Sequence, residues 1–269
     1  MKLIWLGHGS FRLETGDKVL LIDPWLTGNP VMPEDRHDEA TDGVTMILLT
    51  HAHFDHVADV LPLAKKYSVP VIGQFDLMSH WGEAEGIETI GMNKGGTVDL
   101  GDVTVSMVKA EHSSTFGTPE GLKAAGSEVG YMIGAEGRMI YFSGDTDVMA
   151  DMDWFADYYK PDIGILSAGG HFTMSMKAAA YAARRYFNFD TVIPGHYKTF
   201  PLLEQSAEVL IEELPDVKVI EPVLLEAIRR RRRRVRPIRR DPARRTPQAR
   251  RVAKKVFSNA SASRAEIPS

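Results

Sequence analysis

The chain has 269 residues, enough for one large domain or two small ones, and its 43% hydrophobic and 25% charged content is that of a soluble globular protein with a buried core. It contains no cysteine, which excludes disulfides, thiolate metal sites and a cysteine nucleophile, so any metal must be held by nitrogen and oxygen. The net charge of -4 hides an asymmetry: residues 223–269 hold 16 Lys+Arg against 3 Asp+Glu, leaving residues 1–222 strongly acidic.

In chain order, residues 2–6, 10–14 and 19–22 read as three strands joined by glycine-containing turns. Residues 44–50 form a buried strand, and 56–67 carry Val57, Val60, Leu61 and Ala64 at helical spacing. A strand at 69–72 and a short helix at 75–82 follow, then strands at 86–90, 97–100 and 103–110. Residues 130–134 and 139–142 flank Glu136-Gly137, a hairpin signal. The remainder alternates: helix 148–156, strand 163–167, Ala-rich helix 175–187, strand 191–193, helix 206–214 and strand 217–220. Strands leading into mixed strands and helices, twice over, predict an α/β chain built as an αββα sandwich, with no linker inside residues 1–222.

Residues 223–269 differ. Arg229 to Arg234 are six consecutive arginines, and Phe257 is the one aromatic residue of the segment. Such a segment cannot bury enough apolar surface to offset chain entropy. We expect a body at 1–222 and an unstructured or frameshifted tail at 223–269. The tail is the one place where nucleic acid or an anionic membrane would find clustered charge.

The chemistry concentrates in His51-Ala52-His53-Phe54-Asp55-His56, where a strand ends and a helix begins. Extended backbone puts alternate side chains on one face, so His51 and His53 converge, while Asp55 and His56 turn to a neighbouring position. Imidazole and carboxylate suit zinc, manganese or iron. A two-ion site needs more donors, and three polar residues follow predicted strands: His112, Asp145 and His196. Taken singly, each also fits a loop residue or a helix cap.

The run His-x-His-x-Asp-His with a later His, Asp and His resembles the metallo-β-lactamase superfamily. Gly7-His8 with Phe11 and Glu14, Leu21-Ile22-Asp23-Pro24, Asp145-Thr146 and His196-Tyr197 with Phe200-Pro201 are similar to its uncharacterised UPF-type metal-dependent hydrolases. That family is related to ascorbate-6-phosphate lactonase and to N-acyl-phosphatidylethanolamine phospholipase D type enzymes. The resemblance covers residues 1 to about 222. It implies the metallo-β-lactamase fold and two divalent ions, zinc or manganese. His51, His53 and His112 would hold one ion and Asp55, His56 and His196 the other, with Asp145 and a hydroxide bridging them. It implies a hydrolase of a small, anionic ester, lactone or phosphodiester, with Asp55 and Asp145 catalytic.

His8 and Asp23 are expected behind the ligands, with Asp23 orienting a ligand histidine. His171, where the resembling pattern has other residues, is a candidate proton donor or anion contact. Ser113 and Ser114 are candidate substrate contacts. His37 and His80 fit no site, and Trp5, Trp25, Trp81 and Trp154 are read as packing. No secretory signal or membrane span is visible, so a cytoplasmic protein is expected; the resemblance allows a homo-oligomer. Two other functions remain open: a nuclease on the same metal core, and a metal-binding protein without catalysis.

Overall fold

The computed structural model describes residues 1–119 and 121–228. The first sheet has six strands in sequential order: β1 (Lys2–Gly7), β2 (Ser10–Thr15), β3 (Lys18–Ile22), β4 (Met46–Leu48), β5 (Val71–Gln74) and β6 (Thr89–Met92). The first two pairings are antiparallel and the remaining three parallel, so β1, β3 and β4 run the same way. The second sheet contains β7 (Thr97–Asp99), β8 (Val103–Lys109), β11 (Val129–Ala135), β12 (Arg138–Phe142), β13 (Ile163–Ser167), β14 (Thr191–Gly195) and β15 (Lys218–Val219). Its order is β15-β14-β13-β12-β11-β8-β7. A separate hairpin of β9 (Thr115–Thr118) and β10 (Gly121–Ala124) leaves the second sheet between β8 and β11.

Side-chain alternation explains the layering. In β3, Leu20 and Ile22 join the cluster shared by both sheets, whereas Leu21 points to the opposite face. In β4, Met46 and Leu48 face inward and Ile47 outward. Helices cover the outer face: α3 (Val60–Tyr67) lies on β4, and α4 (Phe75–Glu85) lies on β5 and β6. On the second sheet, Tyr141 points outward and stacks on Phe187, at the end of α6 (Met176–Tyr186), with α5 (Met152–Tyr159) and α7 (Glu208–Glu213) alongside α6. Between the sheets, Phe11 meets Phe142 edge-on at 5.8 Å, and the buried Tyr131 hydroxyl donates to Leu49 O at 2.6 Å. The expected sandwich of two sheets with helices outside is what forms.

Three local expectations change. The helix predicted at 56–67 breaks into α2 (Phe54–Val57) and α3, because Asp59 accepts hydrogen bonds from Leu26 N, Thr27 N and Thr27 Oγ1. A short 3₁₀ turn (Glu34–Arg36) and α1 (His37–Thr41) occupy a stretch that carried no prediction. Beyond 222, Leu225 N donates to Trp5 O and Ile228 N to Leu3 O, so residues 223–228 run along β1. The rest of the expected tail, 229–269, lies outside the described residues.

Candidate metal centre

All three strands β1, β3 and β4 end at the same rim, and so do β8, β12 and β14 of the second sheet, since they are mutually parallel. Each delivers a polar side chain just past its last residue: His8, Asp23, His51, His112, Asp145 and His196. His53 then caps α2 in extended backbone, so the chain swings into a helical turn that aims Asp55 and His56 back under the rim. His8, Asp23 and His196 sit at φ of 54°, 48° and 55°. Left-handed backbone at three non-glycine residues is strained, and such strain collects at functional sites.

Three groups of potential ligand atoms result, the atoms of each lying within 4.8 Å of one another. His51, His53 and His112 form one, and His8, Asp55, His56 and His196 another; the third, Asp23, His51 and His56, shares a histidine with each of them. Asp145 stands between the first two. Its Oδ2 is 2.9 Å from His196 Nε2, 3.4 Å from His56, 3.7 Å from His112 and 3.9 Å from His51. All seven residues expected as ligands are therefore brought together. Gly144 makes this turn possible: its φ is +59°, and a Cβ there would lie 2.5 Å from Val129 O.

The residues behind them are hydrogen-bonded into place. Asp23, fully buried, accepts from Thr50 N at 2.7 Å, Thr50 Oγ1 at 2.5 Å and His56 Nδ1 at 2.8 Å. With a proton on Nδ1, His56 presents Nε2 as a lone pair to the site. His8, also fully buried, places Nε2 2.8 Å from Asp55 Oδ2 and Nδ1 beside Thr199 Oγ1. Neither Thr50 nor Thr199 was singled out from sequence, although each adjoins or lies close to a ligand in the chain.

The charge distribution divides the site. Burial lowers the pKa of His51, His53 and His112, aided by neighbouring histidines, so these three favour the neutral form a ligand needs. For His56 and His196 burial is outweighed by Asp145 and Asp55, which raises His56 well above its usual value and His196 to about 9. Burial would push Asp145 and Asp55 up, yet the facing histidines hold both well below the carboxylate range. Two ionised carboxylates in a buried pocket call for positive charge. His56 Nε2 is moreover a buried nitrogen with no hydrogen-bond partner. An imidazole and carboxylate donor set, with an orphaned Nε2 that keeps its lone pair when the proton sits on Nδ1, fits a divalent cation.

The remaining candidates separate. Ser113 Oγ is exposed and lies 3.3 Å from His53 Nε2, where it borders the site. Ser114 is buried, accepts from Ala52 N and donates to Ala125 O. Its hydroxyl is committed to backbone, which corrects the expectation of a substrate contact: it ties the hairpin β9–β10 to the ligand loop. His171 is exposed, edge-on to Phe172 at 4.6 Å, and is not brought into any of the three ligand groups. Trp25, read as packing, stacks beside Phe200 and meets His8 edge-on at 5.1 Å.

Comparison with known proteins agrees with this geometry. Residues 18–197 match the family described as "Beta-lactamase superfamily domain". A UPF0173 metal-dependent hydrolase of Ruegeria sp. strain TM1040 is 72% identical over 228 residues, covering 85% of this chain and 99% of its own. Among solved structures, the metallo hydrolase Igni18 of Ignicoccus hospitalis is 27% identical with a TM-score of 0.74, covering 84% of this chain and 97% of its own. The metallo-β-lactamase fold protein YhfI of Bacillus subtilis, 16% identical, superposes with a TM-score of 0.63 over 83% of this chain and 97% of its own, a likeness of fold. The two-sheet architecture, the rim of histidines and carboxylates and these matches lead to one placement: this chain belongs to the β-lactamase superfamily, as a member of its UPF0173 metal-dependent hydrolases.

Proposed function

We propose that the chain is a two-metal hydrolase of a small ester, lactone or phosphodiester, with zinc or manganese as the ions. The observation that carries this reading is the position of Asp145, whose Oδ2 lies within 4 Å of histidines from both of the groups it stands between. His51, His53 and His112 would hold one ion and Asp55, His56 and His196 the other, with Asp145 common to both. Two bound ions would supply an acidified water at neutral pH and positive charge for the oxyanion of the transition state.

The chain's own residues set the rest. Asp23 keeps His56 in the tautomer that ligates, and Thr50 keeps Asp23 in place. Against burial, His56, His196 and His8 hold the Asp55 carboxyl well below the usual carboxylate range, so it stays ionised and would accept a hydrogen bond from the attacking water and orient it. His8 supports Asp55 from behind, and Thr199 fixes His8. Ser113, exposed beside His53, is placed to donate to bound substrate. No helix among the described residues is long and apolar enough to cross a membrane.

The test is a panel of esters, lactones and phosphodiesters assayed with metal-stripped and metal-reloaded protein, with Asp145→Asn in parallel. Turnover that requires metal and collapses in the variant supports the reading. Full turnover by stripped protein, or by Asp145→Asn, overturns it.

A further inference from the structure

Among the exposed large apolar residues of the described chain, Phe54 stands inside the ligand run itself. It sits between His53 and Asp55, its helix neighbours Asp55 and His56 are buried, and yet its side chain is 64% exposed. Leaving an aromatic ring in water gives up its burial free energy. The ring is not isolated: Phe54 meets Trp25 edge-on at 5.7 Å, Trp25 stacks beside Phe200 at 5.7 Å, and Phe54 and Phe200 lie 6.4 Å apart. Trp25 and Phe200 also both meet His8 edge-on, and His8 holds Asp55. Two of the four loops that carry ligands, 51–56 and 196–200, thus each contribute one ring to a cluster backed by Trp25.

We propose that Phe54 and the half-buried Phe200, backed by the buried Trp25, form a shelf for an apolar, planar group of the substrate, beside the bond that the metal centre cleaves. The proposal deepens the hydrolase reading and rests on it. Within that reading it commits to a neutral ester or lactone bearing an aryl or comparably flat apolar substituent, and against the anionic phosphodiester. Two observations favour that choice. The lysines nearest the ligands in the chain are already neutralised: Lys109 by Glu111 and Asp151, and Lys198 by Glu221. A stacking surface is instead offered where a bound group would touch both an exposed ring and the flank of the ligand loop. A protein partner seated on Phe54 would cover His53 and Asp55 as well, and so would close the centre it adjoins.

The test uses metal-loaded full-length protein and two hydroxamic acids, acetohydroxamate and benzohydroxamate, which present the same chelating head with a methyl or a phenyl group. Calorimetry gives the two Kd values, each corrected for the ligand's affinity for the free metal. The shelf predicts that benzohydroxamate binds at least about tenfold tighter. It also predicts that Phe54→Ala reduces the preference several-fold and Phe54→Leu, which keeps bulk but not the ring face, by an intermediate amount. Binding of both hydroxamates with no phenyl preference, or a preference untouched by Phe54→Ala, overturns the shelf while leaving the metal centre intact. Binding of neither overturns the metal-centre reading and the shelf with it. A dimer in sedimentation that Phe54→Ala dissolves, with the hydroxamate ratio unchanged, would assign the patch to a second copy and refute the proposal.

Discussion

Replacing Asp23 by Asn isolates the support of His56 from the ligand set itself. The carboxylate takes three donors on two oxygens: Thr50 N on Oδ1, and Thr50 Oγ1 and His56 Nδ1 on Oδ2. An asparagine has one acceptor oxygen. If that oxygen stays with Thr50, the amide NH₂ faces His56 and drives its proton to Nε2, the atom that must ligate. If the amide turns over, Thr50 N loses its acceptor in a fully buried position. The first arrangement costs about 10–100-fold in metal affinity, or ~1.4–2.7 kcal/mol. The second costs about 1–3 kcal/mol of fold stability. Competition against a chelating dye measures the first, and thermal unfolding of stripped protein the second. Affinity within twofold of the wild type together with an unchanged melting temperature would refute the argument that Asp23 acts through His56.

Further outcomes follow from the same geometry. In stripped protein, burial lowers His196 but Asp145 and Asp55 outweigh it and raise its pKa to about 9, so this group's stabilisation is full below its ordinary value of 6.5 and is lost as pH rises through 9. Zinc must displace that proton, so the rise in melting temperature on adding zinc should grow from pH 6 to pH 9; a gain that shrinks over that range would contradict the assignment. Ser114→Ala should lower stability by about 1–2 kcal/mol and leave KM for small substrates nearly constant, because its hydroxyl serves Ala52 and Ala125; a large KM change with unaltered melting would restore it as a substrate contact. Truncation after Pro222 removes the backbone bonds to β1 and the packing of Leu224, Leu225 and Ile228, so it should destabilise by about 2–4 kcal/mol relative to truncation after Ile228; equal melting temperatures for the two would show that residues 223–228 contribute nothing.

Much of this protein was legible because apolar strand runs and site chemistry coincide. β3 and β4 show as the continuous apolar runs Leu20-Leu21-Ile22 and Met46-Ile47-Leu48, since both of their faces are covered, and the polar residue after each strand marks the rim. That is why His112, Asp145 and His196 could be found without knowing which strands pair. The break between α2 and α3 was hidden because Val57, Val60, Leu61 and Ala64 keep helical spacing across it. Its cause is Asp59, whose carboxylate is held by Leu26 and Thr27, residues far away in sequence. The β9–β10 hairpin escaped for a related reason: β10 is exposed throughout, so it shows no alternation to read. Residues 223–228 looked like the start of a basic tail, because composition averaged over 47 residues masks a short apolar run that β1 holds in place. Phe54 was passed over inside the most informative six residues of the chain, since its exposure depends on how α2 is turned.

The central claim is that one carboxylate joins two cation sites. Titrating stripped protein with zinc, with occupancy followed calorimetrically, tests it directly when wild type and Asp145→Asn are compared. The account predicts two ions per chain in the wild type and a loss of affinity at both steps in the variant. A single ion per chain, or a variant that loses one step and keeps the other at wild-type affinity, would contradict it.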